Sequence, residues 1–490
     1  MRALPRLAVR PFANRTSRAT CQRLLARRTY ANIAAHKFGQ PLHETHPHLL
    51  KPGELSPGIT AVEYHERRAR LAKSLPRGGI AVLPSSEIKT RSGAVFYEFH
   101  QQPDFFYLTG FTEPEALAVI AREESELGYS FHLFVRPKDN HAEVWDGARS
   151  GIDAAKDVFN ADESHDINRV ASILPDLLQG SEVVYTDVLK PHRSQSSLSK
   201  LLGHGSTPTD GSLQSLLKAG NVKPLKPVMN QLRLTKSAAE VANMRKAGKL
   251  SGRSFTDAMR KSYKLEKDLW TDLGYGFRSR GLDGEAYVPV VAGGTNGLSI
   301  HYVRNDDALH DGQLVLVDAG GEYGGYITDI TRTWPVNGKF SSAQKDLYNM
   351  VLNVQRSCVS MCREDASTTL DGLHRIATNG LQDGLRSLGF DISGNAMDVL
   401  FPHHVGHHIG LDVHDAPGFS RSEWLKEGQC ITMEPGIYVP DDEKWPSHFR
   451  GMAIRIEDSI CVTKENPLVL TTEAVKEVDD IEALRGGGSV

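Results

Sequence analysis

Apolar residues between Tyr64 and about residue 224 alternate between helical and strand-like spacing. Tyr64–Leu75 carries them at the spacing of an amphipathic helix, whereas short continuous apolar runs bounded by turn residues predict strands. The strands are expected at Gly79–Leu83, Ala116–Ile120, Phe131–Val135 and Val183–Tyr185. Helices that alternate with strands in this way predict an α/β domain. Lys223–Leu232, which contains prolines, is expected to cross from this domain to a second one.

The second domain begins near Ser237 and mixes helices and strands, with glycine-rich turns. Ser237 and Glu240 have the spacing of a capping box at the start of one helix, and Ser341 with Gln344 starts another that runs to about Cys362. Strands are expected at Tyr287–Val291, Leu314–Asp318, Tyr326–Thr333, Cys430–Glu434 and Ala453–Val462. This mixture predicts an α+β fold.

One motif occurs twice in the second domain. Gly312-Gln313 and Gly428-Gln429 are each followed by four strand residues, a carboxylate, one further residue and a glycine. A second strand follows each copy and carries another acid. The four acids are Asp318 and Asp329 in the first copy, and Glu434 and Glu457 in the second. Two similar half-domains would place these carboxylates around a pseudo-two-fold axis, although a turn motif repeated by chance gives the same pattern.

Composition limits the class of protein. The 490 residues correspond to two or three domains, and 40% hydrophobic with 24% charged residues are typical of a globular chain. No apolar run reaches the ~18 residues of a membrane span, so we expect no integral membrane segment. A formal net charge of −3 argues against a nucleic-acid partner. Five cysteines without a C-x-x-C motif fit a reducing compartment.

Positive charge is concentrated at the N-terminus. Residues 1–30 contain eight arginines and no acid, with Leu, Val and Phe between them, which is typical of a mitochondrial transit peptide. A basic tail that binds nucleic acid is the alternative. The Pro-, His- and Gly-rich residues 31–57 are expected to be a linker. We therefore divide the chain into a transit peptide (1–30), a linker (31–57), an N-terminal domain (58–225) and a second domain (226–490).

The four repeated acids stand in apolar surroundings, where a bare charge is costly. Asp318 ends an apolar strand, Asp329 lies between isoleucines, and Glu434 follows another apolar strand. A structural ion pair explains each acid taken alone. Four carboxylates that converge on one point, however, do not all stay ionised without cations, which favours a metal site.

A histidine-rich segment precedes the second copy of the motif. Any single histidine there is explained as a hydrogen-bonded core residue, but the cluster makes a purely structural interpretation weak. Imidazole suits borderline divalent metals, and carboxylate oxygen suits Mn²⁺ or Mg²⁺. The histidines are His403, His404, His407, His408 and His414.

The order and spacing of these acids and His407 resemble the five-ligand pattern of the pita-bread metallopeptidases, and most closely the aminopeptidase P family. The segments that carry the resemblance are Pro103–Glu115, Val315–Asn337 and Gly406–Asp415. Together with the basic N-terminus, they resemble the mitochondrial, intermediate-cleaving type within that family. The resemblance implies a pita-bread catalytic domain with pseudo-two-fold halves, preceded by a smaller α/β domain.

The resemblance also implies two divalent metal ions, usually Mn²⁺, and a role for each matching residue. Asp329 and Glu457 would bridge the ions, Asp318 would hold one, and His407 with Glu434 would hold the other. Glu434 would also act as the general base. The further active-site residues implied are His301, His403, His414, which would stabilise the oxyanion, and Arg455, which would orient the metal carboxylates together with Thr331.

Of four other residues, two match the family less strongly and two match no role in it. Tyr438 is a candidate for the substrate pocket. Arg149 matches a position that reaches a neighbouring subunit in this family, which allows a homo-oligomer. His404 and His408 match no role and are interpreted as packing or rim residues.

The implied function is removal of one N-terminal residue from peptides, or from imported mitochondrial proteins after presequence cleavage. The alternatives are a general Xaa-Pro aminopeptidase, a prolidase, and a non-catalytic pita-bread binding module. Asp104–Phe111 favours aminopeptidase P over prolidase, and the complete ligand set argues against the binding module. The expected location is the mitochondrial matrix or its inner membrane surface. Arg28 also predicts cleavage after Thr29, which would expose Tyr30 for trimming by a second copy of the enzyme.

Overall fold

The computed structural model describes residues 38–125, 128–188, 213–217 and 221–486. The expected transit peptide and the predicted cleavage after Thr29 lie outside these residues. Along the described part of the chain, no helix is both long and apolar enough to cross a membrane. The four cysteines within it are buried and free of disulfides.

Residues 38–57 pack against the N-terminal domain, although their composition predicts a linker. Leu42 and Leu55 are buried in the core of that domain, and Gln40 donates a side-chain hydrogen bond to the carbonyl of Gly110 at 2.9 Å. The segment ends in strand β1 (Glu54–Ser56), which pairs with β2 (Ile59–Thr60). Prolines and glycines here form successive turns that leave apolar side chains facing the core.

The N-terminal domain contains a six-stranded mixed sheet with helices around it, in agreement with the α/β prediction. The four predicted strands are present, each within two residues of the expected bounds. The elements are α1 (Ala61–Ser74), β3 (Gly79–Pro84), β4 (Thr90–Ser92), β5 (Val95–Phe96), α2 (Pro103–Thr109), β6 (Leu117–Arg122), β7 (Tyr129–Val135), α3 (Asn140–Asp146), α4 (Gly151–Asp157), β8 (Glu163–Asp166), α5 (Val170–Leu178), β9 (Val183–Tyr185), α6 (Leu213–Leu217) and β10 (Val222–Lys223). The six strands of the sheet lie in the order β10-β9-β3-β6-β7-β8.

The connection between the N-terminal domain and the second domain is helical. Helix α7 (Lys226–Leu234) occupies most of the segment expected to cross between the domains. Pro227 is accommodated in its first turn, where no backbone N–H is needed for the helix. Helix α8 (Ala238–Met259) follows and starts at the predicted capping box of Ser237 and Glu240. The two domains are therefore connected by helix α7, a short turn and helix α8.

The second domain is α+β, as predicted. Helix α10 starts at the capping box of Ser341 and Gln344 and ends two residues before the expected Cys362. The elements are α9 (Glu266–Ser279), β11 (Gly284–Glu285), β12 (Val290–Gly293), β13 (Leu314–Ala319), β14 (Gly321–Tyr323), β15 (Tyr326–Ile327), β16 (Ile330–Pro335), α10 (Ser342–Ser360), α11 (Leu370–Ser387), α12 (Ala396–Leu400), β17 (Cys430–Met433), β18 (Gly436–Tyr438), β19 (Ala453–Arg455), β20 (Asp458–Cys461), β21 (Leu468–Val469) and α13 (Val478–Gly486).

In each half of this domain, two chain segments run antiparallel and pair twice, with a break between the two paired stretches. In the first half β13 pairs with β16 and β14 with β15; in the second half β17 pairs with β20 and β18 with β19. The two long strands predicted at Tyr326–Thr333 and Ala453–Val462 are therefore each broken in two. The equivalent pairing in both halves confirms that the Gly-Gln motif marks a structural repeat.

A close backbone approach explains the interruption in the first half. A Cβ atom added at Gly320 would lie 1.7 Å from the carbonyl oxygen of Thr328, so only glycine fits there. The breaks fall at Thr328–Asp329 and at Ile456–Glu457. In both halves the interruption therefore lies at an acid that the repeat singles out.

Candidate metal centre

The two strand breaks face each other across the pseudo-two-fold axis and are joined by equivalent hydrogen bonds. The backbone N–H of Asp329 donates to the Ser459 hydroxyl at 3.0 Å, and the backbone N–H of Glu457 donates to the carbonyl of Thr331 at 3.0 Å. Thr331 and Ser459 each lie two residues after the acid of their own half. The breaks thus orient both acids towards one point between the halves.

His407 lies beside the two acids at the strand breaks. One ligand atom each of Asp329, His407 and Glu457 lies within 4.8 Å of the others, a grouping that is able to hold a metal ion. The Nε2 atom of His407 is 3.6 Å from Oδ2 of Asp329 and 3.7 Å from Oε1 of Glu434. Acids from both halves of the domain therefore lie around one histidine.

Asp318, the remaining acid, is held by two donors. Arg455 Nη2 donates to its Oδ2 at 2.6 Å, and the Tyr287 hydroxyl lies 2.7 Å from its Oδ1. The same hydroxyl is 2.5 Å from Oδ1 of Asp329, so Tyr287 spans two of the acids. Sequence reasoning placed Tyr287 at the start of a predicted strand but missed its contact with the acids, since it precedes Asp318, the first of them, by 31 residues.

Arg455 is the centre of a buried hydrogen-bond network. Besides Asp318, it contacts the Thr331 hydroxyl through Nε at 3.0 Å and the Tyr438 hydroxyl through Nη1 at 2.6 Å. Thr331 in turn donates to Oε2 of Glu457 at 2.7 Å. Arg455 and Glu457 thus reach one hydroxyl from the same side of their strand, as alternation predicts.

The other predicted histidines surround this network. His403 contacts the Tyr438 hydroxyl through Nε2 at 2.9 Å, and its Nδ1 is 3.8 Å from Oε2 of Glu434. The rings of His414 and His407 are perpendicular, with centroids 4.5 Å apart. His301 is exposed. Burial lowers the pKa of His414, and the neighbouring His407 adds to this effect.

Three residues lie away from the acids. His404 is exposed with its ring against His374, whereas His408 is buried with its ring against Phe419. The Arg149 side chain makes its contacts within the N-terminal domain, with the carbonyl of Pro137 at 3.3 Å and with Asp146 at 3.8 Å.

Burial dominates the electrostatics of the acids. It raises the pKa of Asp318 to about 6 and that of Glu434 to about 7, and raises the pKa of Glu457 well above its ordinary value, with the neighbouring carboxylates adding to the effect. The pKa of Asp329 is lowered, because the hydrogen bond and charge of His407 outweigh burial. Asp329 and Glu434 likewise raise the pKa of His407 to about 9, against the effect of burial.

The residues fit a bound cation. Oε1 of Glu457 is buried and has no hydrogen-bond partner among the described residues, which is rare for a carboxylate oxygen. The donor atoms are carboxylate oxygens with one imidazole nitrogen, a set that suits divalent metals. This arrangement identifies the cluster as a candidate metal centre.

Comparison with known proteins agrees with this chemistry. Residues 242–464 match metallopeptidase family M24, and residues 64–185 match the aminopeptidase P N-terminal domain. Over 455 residues the chain is 46% identical to intermediate cleaving peptidase 55 of Saccharomyces cerevisiae, which covers 92% of this chain and 89% of the relative. The chain belongs to the aminopeptidase P family. It is therefore a metallopeptidase of the aminopeptidase P type, a hydrolase that acts on peptide N-termini.

Other members of the aminopeptidase P family match over most of their length. Human Xaa-Pro aminopeptidase 3 is 38% identical over 468 residues, covering 91% of this chain and 90% of the relative. The crystal structure of Icp55 from S. cerevisiae has a TM-score of 0.81 and 44% identity, covering 89% of this chain and all of the other. Zn-substituted E. coli aminopeptidase P in complex with product has a TM-score of 0.76 and 34% identity, covering 87% and 98%. These likenesses confirm the predicted architecture, in which an α/β domain is followed along the chain by a pita-bread domain.

Proposed function

We propose that this enzyme removes a single residue from the N-termini of mitochondrial proteins after their presequences have been cleaved. The observation that carries the proposal is the grouping of Asp329, His407 and Glu457 around one buried point, where Oε1 of Glu457 has no hydrogen-bond partner among the described residues. Glu434 lies beside His407, and Tyr287 connects Asp318 to Asp329. Support for the substrate comes from the arginine-rich, acid-free residues 1–30 and from relatives named intermediate cleaving peptidase 55, one of them mitochondrial in Arabidopsis thaliana.

The site is proposed to bind two divalent ions, Mn²⁺ by preference. Asp329 and Glu457, which lie at the matching strand breaks, would hold the ions together with Asp318, His407 and Glu434. When bound, the ions would polarise the scissile carbonyl and lower the pKa of an attacking water. Metal analysis of the purified protein tests the stoichiometry: two equivalents per chain support the proposal and one equivalent contradicts it.

The chain's own residues supply the proton transfers. Glu434 is proposed to accept a proton from the attacking water and to deliver it to the leaving amine. His414 is proposed to donate a hydrogen bond to the oxyanion. His403, which contacts Tyr438 and faces Glu434, would orient the substrate beside the general base, and Arg455 would keep Asp318 and Thr331 in place. His301, which is exposed, would line the entry.

Two peptides distinguish the substrate classes. The Mn²⁺-loaded enzyme is incubated with a Tyr-Ala peptide and with an Arg-Pro-Pro peptide side by side. We expect faster release of Tyr, as for an enzyme that trims bulky residues from processed proteins. Cleavage of Arg-Pro-Pro alone would identify a general Xaa-Pro aminopeptidase instead, which the relatives named Xaa-Pro aminopeptidase 3 keep as the second candidate.

The same specificity predicts processing of the enzyme itself. Cleavage after Thr29 would leave Tyr30 at the N-terminus, and its removal by a second copy would leave Ala31. N-terminal sequencing of the mitochondrial protein should find Ala31 in active enzyme and Tyr30 in a Glu434→Gln strain that lacks the wild type. Ala31 in both strains would exclude self-processing.

A further inference from the structure

A second cluster of buried charges lies beneath the loop that carries His414. Its centre is Arg233, in the last turn of α7, with a side chain only 2% exposed. One guanidinium nitrogen, Nη1, donates to Oδ1 of Asp104 at 2.6 Å. The other, Nη2, donates to Oδ2 of Asp412 at 2.7 Å and also to Oδ1 of Asp415. Arg233 thus joins the N-terminal domain to the histidine loop.

Asp415 is held from two sides. In addition to Arg233, Lys236 Nζ donates to its Oδ2 at 2.8 Å. The packing around this ion pair is tight, because a Cβ atom added at Gly410 would lie 2.6 Å from Asp415 Oδ2 and 2.9 Å from Lys236 Cε. The two cations hold the pKa of Asp415 near 2 although burial opposes this. The carboxylate is therefore a fixed, ionised anchor.

The anchored residues close the loop on itself. The backbone N–H of Asp415 donates to the carbonyl of His408 at 2.8 Å, and that of Gly410 donates to the carbonyl of Asp412 at 3.1 Å. His407 precedes this closed turn and His414 lies within it, directly before Asp415. The position of the His414 ring over His407 is therefore determined by where Asp412 and Asp415 are held.

We infer that Arg233 is a positioning residue for peptide hydrolysis. Through Asp412 and Asp415 it fixes His414 relative to the metal centre, whereas its bond to Asp104 braces the N-terminal domain without touching the loop of His414. The inference rests on the proposed function, in which His414 stabilises the oxyanion. Small displacements of an oriented group lower turnover strongly, so a device of this kind acts on kcat more than on KM.

Two aspartates allow a matched test, because both are almost fully buried and both pair with Arg233 and one lysine. Asp415 pairs with Lys236 on the side of the loop, whereas Asp104 pairs with Lys226 at 3.0 Å on the side of the N-terminal domain. Asp415→Asn and Asp104→Asn therefore remove the same charge from opposite ends of one guanidinium. Only the first touches the loop of His414.

The full-length Mn²⁺-loaded enzyme is assayed as wild type, as each Asn variant, as His414→Ala, and as Asp415→Asn combined with His414→Ala. We expect Asp415→Asn to lower kcat by about 10–100-fold with KM and metal content little changed. Asp104→Asn should leave kcat within about 2-fold while it lowers the melting temperature. In the His414→Ala background, Asp415→Asn should cost less than about 2-fold, because residues that act through one group are non-additive.

Each other outcome overturns a defined part of the inference. An equal loss of kcat in both Asn variants would show that the cluster only braces the domains. A full 10–100-fold loss from Asp415→Asn in the His414→Ala background would show that the effect does not pass through His414. Near-normal activity of His414→Ala alone would instead contradict the proposed catalytic role. If Asp415→Asn does not fold, Asp412→Asn replaces it, since that side chain is 36% exposed and contacts Arg233 alone.

Discussion

The molecule contains two buried clusters of charge that look alike in composition and differ in balance. Around Arg233, three aspartates face three cations of the same chain, and the pKa of Asp415 is lowered to about 2. At the metal centre, four carboxylates share one guanidinium and one imidazole. The pKa values of three of the four are raised there, chiefly by burial.

The difference shows what distinguishes a structural ionic cluster from a metal site. Both clusters pay the desolvation cost of buried charges. The cluster of Arg233 recovers it with its own side chains, whereas the carboxylate cluster lacks the cations to do so. A deficit of positive charge, together with an acceptor atom that has no donor, is therefore more informative than buried acids alone.

The largest expected effect is on turnover when a ligand of the carboxylate cluster is lost. Glu434→Gln and His407→Ala should each lower kcat by at least ~10³, because a metal ligand is removed and, in the first case, the general base as well. Circular dichroism should show that the fold persists, since the N-terminal domain and most of the core are untouched. Near-normal peptidase activity in either metal-loaded variant would refute the site assignment.

His414 lies between the two clusters, with its ring on His407 and its chain neighbour Asp415 on Arg233. His414→Ala should lower kcat by ~10²–10³ and leave the metal content unchanged, as expected for a donor to the oxyanion. Metal analysis and single-substrate kinetics on the same preparation check both statements. Loss of metal from this variant would make His414 a ligand and move it into the carboxylate cluster.

Neutralising one acid should have opposite effects on the stability of the metal-free protein in the two clusters. Asp415→Asn should destabilise it by about 3 kcal/mol, because Arg233 and Lys236 remain as poorly compensated buried cations. Glu457→Gln should stabilise it by about 1 kcal/mol, because a carboxylate that burial disfavours is removed. Urea unfolding in the presence of a chelator measures both, and equal signs would contradict the contrast.

The smallest effect concerns pH. The raised pKa values of Asp318 and Glu434 mean that their contribution to the stability of the metal-free protein is present below about pH 4 and is lost as pH rises through 6 to 7. The contribution of Asp415 has the opposite pH dependence. Because its pKa is lowered, it stabilises the protein above about pH 4, and this stabilisation is lost towards pH 2. The melting temperature of the chelated protein should therefore fall by about 2–4 °C between pH 5 and 7.5.

Added Mn²⁺ is the control for this pH series. Bound cations keep the carboxylates ionised, so the decline between pH 5 and 7.5 should disappear in the loaded protein. A decline that persists in the presence of saturating Mn²⁺ would assign it to groups outside the carboxylate cluster.

Much of this organisation was predictable because its signals are local. Capping boxes at Ser237 and Ser341, and the Gly-Gln motif before Asp318 and Glu434, are short patterns that carry their own physical cause. The strand breaks at Asp329 and Glu457 were not predictable, since the apolar alternation continues on both sides of each break.

The parts that sequence reasoning missed depend on contacts between distant residues. Tyr287 reaches Asp329 across 42 positions, and Arg233 reaches Asp415 across 182. A tyrosine in a bend or an arginine on an ordinary helix gives no local indication of such a partner. Residues 38–57 were misjudged for the same reason, because their turn-forming composition says nothing about the surface on which the turns pack.

The paired strand breaks also determine when the site forms during folding. The bond from Thr331 to Glu457 spans 126 residues and that from Arg455 to Asp318 spans 137, so each closes a very long loop. Loop closure of this length delays the contact relative to local helices and hairpins. The carboxylates accordingly come together late, after each half has formed its own strands. Metal then captures a finished structure rather than guiding its assembly, and the rate of refolding should not depend on the concentration of Mn²⁺.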